Sequence, residues 1–400
     1  MRVLFVLQSI GYGGSMTSLI NLLTLLRGRS DIECDALFMD PHGELIEDAR
    51  KVANVCSRDV VLESATMNRG KMLGLKLYGD YCFRLGLVLC GKLKHKSGTV
   101  IGYDIAAKRY NDQYDCVVAY QESVATNFAI RIRAKKHVAW VHNDYENVLK
   151  IYHNDREALQ KVYECYDDIV CVSKAGASNF RKYSGVASEK ITCIYNTLLP
   201  DVLMSKSAAP LESILDADHQ SEVACALATD GIKLVSSGRF ATQKRFDRVV
   251  EAACVLKERQ YRFKWFILGA GDLFDEISKS IQENGLSGDV ILTGGLKNPF
   301  PMIKACDVFV LTSEFEAHPM VANEALILGK PVISTSFESA REVIADGQNG
   351  IICAMGSKQI AEAIISLLDN AQLYRQVKAG AANFDYTNDT IIHQVIQILT

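Results

Sequence analysis

One run of the chain admits few folds. DVFVL at 307–311 is a short apolar stretch, followed by a polar loop, a helix-forming stretch, Gly329 and a second apolar stretch at 331–334. Two strands separated by a helix cannot close as a hairpin, so they lie parallel, with the helix crossing between them. Pro319 suits the first helical position, where its missing N–H costs nothing, and Gly329 suits the stop. In open parallel sheets ligands gather at the carboxyl ends of the strands, which is where residues 313–320 fall.

The loop itself has a chemical bias. N–H groups of the first helical turn, from about Pro319 to Ala322, can receive an anion, and carboxylates are acceptors that suit sugar hydroxyls. If 316–324 were wholly helical, Glu316 and Glu324 would stand roughly 12 Å apart along the axis, on nearby faces. That span fits a polyhydroxylated, phosphorylated ligand with one carboxylate toward each end. The plainer reading is that Glu316 favours the helix dipole and Glu324 is a solvated helical residue.

The alternation runs through the rest of the chain. Apolar stretches at 3–7, 32–39, 60–62, 114–120, 137–142, 168–173 and 191–196 read as strands of one doubly wound domain. A second series reads at 232–237, 263–268, 290–293, 307–311, 332–334 and 350–353. The expected organisation is a first domain over 1–198, a connection over 199–230 and a second domain over 231–385, with a helix within 386–400 packing back on the first. After the first strand, Gly11-Tyr12-Gly13-Gly14-Ser15 precedes a helix expected over 16–27, capped by Ser15 or Thr17. The loop is not a clean GxGxxG and no P-loop lysine follows, so it is either a ligand-facing turn or a bare glycine turn. His142 ends its strand on the ligand side, and structural and ligand roles both remain open for it.

Composition narrows the class. With 48% hydrophobic and 23% charged residues, the chain is an ordinary globular one, and a net charge of −3 argues against nucleic-acid binding. Twelve cysteines without a C-x-x-C pair support neither a zinc site nor a disulfide framework, and read as reduced core thiols of a cytoplasmic protein. The N-terminal apolar run stops at Gln8, too early for a signal peptide, and no stretch approaches the ~18 residues of a spanning helix. Residues 69–109 are basic, with Asp80 and Asp104 the acidic residues among leucines and lysines. Such a segment suits an anionic membrane surface, as a peripheral contact on the cytoplasmic face; an ordinary pair of surface helices has the same pattern.

Several strand ends carry further polar chemistry. Gly238-Arg239-Phe240 follows the strand at 232–237, with Lys244-Arg245 just beyond; a fork and a point charge make a sensible diphosphate clamp. Taken together, GGS at 13–15, WVHND at 140–144, GRF…K at 238–244, LGAGD at 268–272, LTG at 292–294, E-x7-E from Glu316 to Glu324, GKPVIST at 329–335 and REVIADGQNGII at 341–352 resemble the retaining glycosyltransferases of family 4. The likeness covers nearly the whole chain and is strongest over 231–353.

The resemblance implies the GT-B architecture: α/β, two Rossmann-like doubly wound parallel-sheet domains facing a cleft, the second holding a nucleotide-sugar donor. In the family, residues matching Arg239 and Lys244 neutralise the diphosphate, beside Gly238. The glutamate matching Glu324 binds the ribose hydroxyls, and the one matching Glu316 faces the transferred sugar. His318, Pro319, Met320 and Val321 match contacts to sugar and phosphate, largely through backbone. Leu296 matches a contact to the base, Gly14 lies near the diphosphate, and His142 approaches donor sugar or acceptor. The implied activity is retaining transfer without metal or cofactor, with Glu316, Arg239, Lys244 and His142 at the reacting centre. UDP-sugars are the commonest donors, and the acceptor would be a glycan or lipid-linked intermediate of surface polysaccharide or glycoconjugate synthesis. Two other readings remain: a GT-B sugar-nucleotide epimerase, which needs no acceptor, and a non-catalytic sugar-nucleotide-binding partner subunit. Two positions depart from the pattern. Ala317 and Arg245 stand where many members have glycine, and Arg245 is expected to face solvent.

Overall fold

The computed structural model describes residues 1–11, 13–94, 97–152 and 156–400; Tyr12 of the glycine loop and Lys96 of the basic stretch lie outside the described residues. The chain divides into two compact units, Met1–Leu198 with Asn388–Thr400, and Leu199–Thr387. The first is built on strands β1 (Arg2–Ser9), β2 (Glu33–Asp40), β3 (Asn54–Val55), β4 (Cys116–Ala119), β5 (Lys136–Val141), β6 (Asp168–Cys171) and β7 (Ile191–Cys193). They form one parallel sheet in the order β3-β2-β1-β4-β5-β6-β7. The second unit carries β8 (Ile232–Ser237), β9 (Phe263–Leu268), β10 (Val290–Gly294), β11 (Val308–Leu311), β12 (Val332–Thr335) and β13 (Gly350–Cys353), in the order β10-β9-β8-β11-β12-β13. Both are the doubly wound parallel sheets expected from the apolar alternation.

The two sheets bury both faces. Val3 to Leu7 of β1 are fully buried, as an unbroken apolar strand requires when helices cover either side. In the second unit the strands alternate between two cores. Leu234, Trp265, Val308 and Val310 face one helix layer, whereas Val235, Phe266, Phe309 and Leu311 face the other. The Trp265 indole N–H donates to Ser236 Oγ at 3.0 Å, and that hydroxyl donates to the Val310 carbonyl at 2.7 Å, so the polar atoms in this layer are satisfied.

Several local expectations are corrected. Residues 60–62 are not a strand: the Asp59 carboxylate accepts the N–H groups of Val61 and Leu62 and caps a helix, Val60–Thr66. The third strand is the two-residue β3 just before it. The first helix spans Gly14–Leu26, with Gly13 at its cap and no side-chain cap from Ser15 or Thr17. The 199–230 stretch holds two helices, Pro200–Ser207 and Ala217–Ala228, and belongs to the second unit. The last helix, Asp389–Leu399, belongs to the first unit and buries Ile391, Val395 and Leu399. Cysteines are not all core: Cys116, Cys171 and Cys306 are buried, but Cys82, Cys90, Cys165 and Cys225 are exposed.

The basic stretch forms three helices, Arg69–Gly74, Tyr78–Lys94 and Gly98–Ala107, rather than two. The middle one turns Asp80, Leu87 and Gly91 inward and leaves Tyr78, Phe83, Leu85, Val88, Leu89 and Leu93 exposed. Among the described residues no helix is long and apolar enough to cross a membrane.

The ends of β8 and β9 approach too closely for a side chain. A Cβ on Gly269 would sit 1.9 Å from the Gly238 carbonyl oxygen, and its φ of 149° is itself unfavourable for other residues. Gly269→Ala is therefore expected to cost about 2–4 kcal/mol, from overpacking plus backbone strain. Gly288→Ala, with nothing within 4 Å of its Cβ, should be near neutral. Urea midpoints at unchanged slope measure both; equal midpoints for the two variants would refute the close approach.

Candidate active site

The order of the second sheet reverses at β8, so the segments after β8 and β11 part and leave a crevice at their carboxyl ends. After β8 come Gly238 and Arg239; after β11 come Thr312 to Glu316. Backbone and hydroxyl bonds hold the two loops in register. The Glu314 N–H donates to the Gln243 carbonyl at 2.8 Å, and Thr312 Oγ1 donates to the Lys244 carbonyl at 2.8 Å.

Across this junction Lys244 Nζ stands 2.6 Å from Glu316 Oε1. Ser313 Oγ donates to the same oxygen at 2.7 Å, and Gln243 Nε2 reaches the Phe315 carbonyl at 2.9 Å. The two side chains are only 16% and 10% exposed, so each charge depends on the other and on these hydrogen bonds. Gly238 leaves room for the lysine stem: a Cβ there would lie 2.9 Å from Lys244 Cε. Arg239 is different. Its side chain is exposed, and among the described residues no carboxylate pairs with it. The site therefore presents one uncompensated cation and one shared with a carboxylate, which suits a phosphorylated, hydroxyl-bearing ligand.

The helix after this loop is shorter than expected. It spans Met320–Ile327 with Pro319 at its cap rather than in its first turn, so Glu316 lies outside it and the two glutamates do not share one helix. Proline restricts the residue before it to extended backbone, which keeps the helix from reaching back to 316. Two N–H groups expected to be open are engaged: Met320 donates to the His318 carbonyl at 2.9 Å and Ala322 to that of Pro319 at 3.0 Å. At the other end Gly329 and Lys330 donate to Leu326 and Ala325, with Gly329 at φ 73°, which closes the helix as foreseen.

Glu324 is buried, 8% exposed, and desolvation raises its pKa to about 7 against the opposing pull of Lys206 and Lys244. Desolvation lowers His318 to about 4, so its imidazole is neutral, with Asn323 Nδ2 3.4 Å from Nε2. Met320 is buried, Val321 half-buried, and Leu296 half-buried against the core face that holds Phe309. Lys206, Gln243, Ser313 and Ser339, whose hydroxyl donates to the Glu316 carbonyl at 2.8 Å, join this site without having stood out in the sequence.

Arg245 does not simply face solvent. At φ 52° it occupies left-handed backbone, which accounts for glycine being suited here. Its guanidinium pairs with Asp247 at 2.7 Å and Glu314 at 2.8 Å, and buried Arg248 also pairs with Glu314. These contacts fasten the loop that delivers Lys244. Ala317 is buried, 9% exposed.

Gly14 and His142 belong to the first unit. Gly14 opens the helix after β1. His142 follows β5, and its ring centroid lies 4.9 Å from that of Tyr120. Tyr120 Oη is 2.9 Å from Ser18 Oγ, which in turn donates to Asn196 Oδ1 at 2.8 Å. The ends of β4, β5 and β7 thus meet the first helix around the Tyr120 ring.

The whole chain superposes on a crystal structure of Anabaena HepE in complex with UDP and glucose, with a TM-score of 0.73 over 100% of this chain and 99% of that one, at 18% identity. That likeness defines the fold: GT-B, with two Rossmann-like units. Two family models match the sequence, "Glycosyl transferases group 1" over residues 221–384 and "Glycosyltransferase Family 4" over residues 92–199. The chain belongs to the group 1, family 4-like glycosyltransferases. A lipopolysaccharide core biosynthesis glycosyltransferase, LpsE of Rhizobium meliloti, is 30% identical over 174 residues, 42% of this chain and 50% of that protein. A poly(glycerol-phosphate) alpha-glucosyltransferase of Bacillus subtilis is 30% identical over 151 residues, 37% of this chain and 22% of that protein. The matches thus span half or less of these relatives' own lengths.

The two shifted groups oppose each other in pH. Glu324, raised above its ordinary value, lowers stability as pH climbs from about 4.5 to 7, because the folded form holds the proton longer. His318, lowered, raises stability as pH climbs from about 4 to 6.5. Glu324→Gln removes the first effect only. The melting temperature of the variant, relative to the parent, should therefore rise between pH 5 and 7 and level off above. A pH-independent difference would contradict the burial of this carboxyl.

Proposed function

We propose that the chain transfers a sugar, with retention of anomeric configuration, from a nucleotide-sugar donor to a glycan or lipid-linked acceptor in surface-polysaccharide or glycoconjugate synthesis. The observation that carries this reading is the Lys244–Glu316 pair at the switch point of the second sheet, with exposed Arg239, which has no carboxylate partner among the described residues, on the same loop as Lys244. In the proposed reaction the sugar C1–O bond to the diphosphate breaks and its electron pair stays on the phosphate oxygen. Arg239 and Lys244 stabilise that developing charge, the role a divalent metal fills elsewhere, so the reaction is proposed to need none. The acceptor oxygen bonds to C1 from the same face, and its proton passes to the departing phosphate. Glu316 faces the transferred sugar, His142 the sugar or acceptor, and Glu324, once ionised, the ribose hydroxyls. Pro319 and Val321 present backbone to sugar and phosphate, Leu296 lies by the base and Gly14 by the diphosphate. A UDP donor is favoured by the UDP in the HepE complex, and a cell-surface acceptor by the names of the LpsE and poly(glycerol-phosphate) relatives.

A donor panel read by thermal stabilisation identifies the nucleotide sugar, since a ligand of the folded state raises apparent stability. Lys244→Ala and Arg239→Ala should each lower transfer on the order of 10²–10³-fold. Near-full activity of Lys244→Ala would sink the phosphate assignment. Donor isomerisation without acceptor would favour an epimerase instead, and binding without turnover a non-catalytic partner.

We further propose that the protein works at the cytoplasmic face of a membrane. Residues 69–109 carry a net +7 in a chain whose total is −3. Nine of the twelve exposed large apolar side chains among the described residues lie between 60 and 105, so apolar surface and positive charge coincide. That combination suits an anionic bilayer. The protein should sediment with vesicles containing phosphatidylglycerol more than with neutral ones, and less at high salt. Leu89→Glu with Leu93→Glu should abolish this; equal binding to both vesicle types would argue against it.

A further inference from the structure

The first unit holds a buried carboxylate that the donor reading does not use. Glu122 follows β4, beside the point where the order of the first sheet reverses, and is 8% exposed. Its Oε1 accepts the backbone N–H groups of His142 and of Asn143, the latter at 2.6 Å. Its Oε2 is buried and has no hydrogen-bond partner among the described residues. Burial raises the pKa of this carboxyl, and the N–H groups around it restrain the rise. The next residue, Ser123, has φ 69° and ψ −97°, an uncommon conformation for a side-chain-bearing residue. Glu122's own N–H and the Asn143 side chain also favour the ionised form, and a carboxylate accepts N–H groups more strongly than a neutral amide oxygen does, which offsets part of the cost of burying it. What this residue does achieve is to fix the chain at the exit of β5. Tyr120 packs its ring at a tilt against that of His142 while Glu122 grips the peptide groups on either side of the His142 α-carbon.

We propose that Glu122 is the positioning residue of the first unit's site, holding the backbone of residues 142 and 143 and so setting where the His142 imidazole stands. The role acts through His142 and therefore rests on the proposed place of that histidine beside sugar or acceptor. A glutamine keeps one acceptor oxygen for both N–H groups and removes the buried charge; an alanine keeps neither.

Wild type, Glu122→Ala, Glu122→Gln, His142→Ala and the double alanine variant of the full chain form the test. Two measurements are made on each: the 13C-labelled histidine NMR resonances, with that of His142 identified by its loss in His142→Ala, and donor turnover with acceptor. The His142 resonance should move in Glu122→Ala and return to near the parent position in Glu122→Gln. Glu122→Ala should lower kcat by roughly the same factor as His142→Ala, on the order of 10²-fold, with donor KM changed less than threefold. The double variant should be no slower than His142→Ala alone. Thermal midpoints report folding, and Glu122→Gln should melt no lower than the parent. A His142 resonance unmoved in folded Glu122→Ala overturns the proposal whatever the activity, as do losses that multiply in the double variant. A moved resonance with fully active His142→Ala leaves the positioning intact and removes the catalytic place of the histidine instead.

Discussion

Lys244 and Glu316 come from loops 72 positions apart in the chain, and their ion pair is possible because two strands of one sheet diverge between them. Much of the second unit's site serves that geometry. Gly269 lets the end of β9 lie against Gly238, Gly238 leaves space for the lysine stem, and Thr312 ties the Lys244 backbone to the end of β11. Arg245, in left-handed backbone, bends the loop and is itself fastened by Asp247 and Glu314. A nearly buried charge pair is tolerable only when such contacts satisfy its remaining hydrogen-bonding capacity. The outcome is a strand-end junction in which Lys244 is paired with a carboxylate, while exposed Arg239 has no carboxylate partner among the described residues.

The electrostatics of the neighbouring helix follow from the same burial. Glu324 and His318 are both withheld from water, and withdrawal favours the neutral form of each, moving the carboxyl up and the imidazole down. At neutral pH the histidine is therefore a neutral hydrogen-bonding group while the glutamate lies near its midpoint. A ligand offering hydroxyl donors to Glu324 stabilises its ionised form, so binding and proton release are coupled at that position.

Most of the architecture was legible because apolar runs of four to eight residues recurred between amphipathic stretches, and because glycines marked the strand exits. The failures were local and have local causes. Val60-Val61-Leu62 is composed of strand formers, yet Asp59 immediately before it supplies a helix cap, and the capped helix prevails. One helix through both Glu316 and Glu324, the condition for their separation along a single axis, is ruled out by the constraint that Pro319 places on His318, and the helix begins at Met320. In the basic stretch the charge pattern was plain, but nothing in the spacing told which face of helix Tyr78–Lys94 would be outward: Leu87 is buried, whereas Leu85, Leu89 and Leu93 are exposed.

The sequence by itself determined the parallel α/β class, the glycine exits and which charged residues stand near those exits. These are properties of short segments: hydrophobic period, turn chemistry and residue type act over a few positions. Only the tertiary structure decided which charges are paired, which are buried and which backbone groups remain available. It coupled Lys244 to Glu316 and left Arg239 open, engaged the Met320 and Ala322 N–H groups, and set Glu122 under the peptides of His142 and Asn143. Partnership and desolvation depend on segments that meet in space from distant parts of the chain, so no local pattern encodes them.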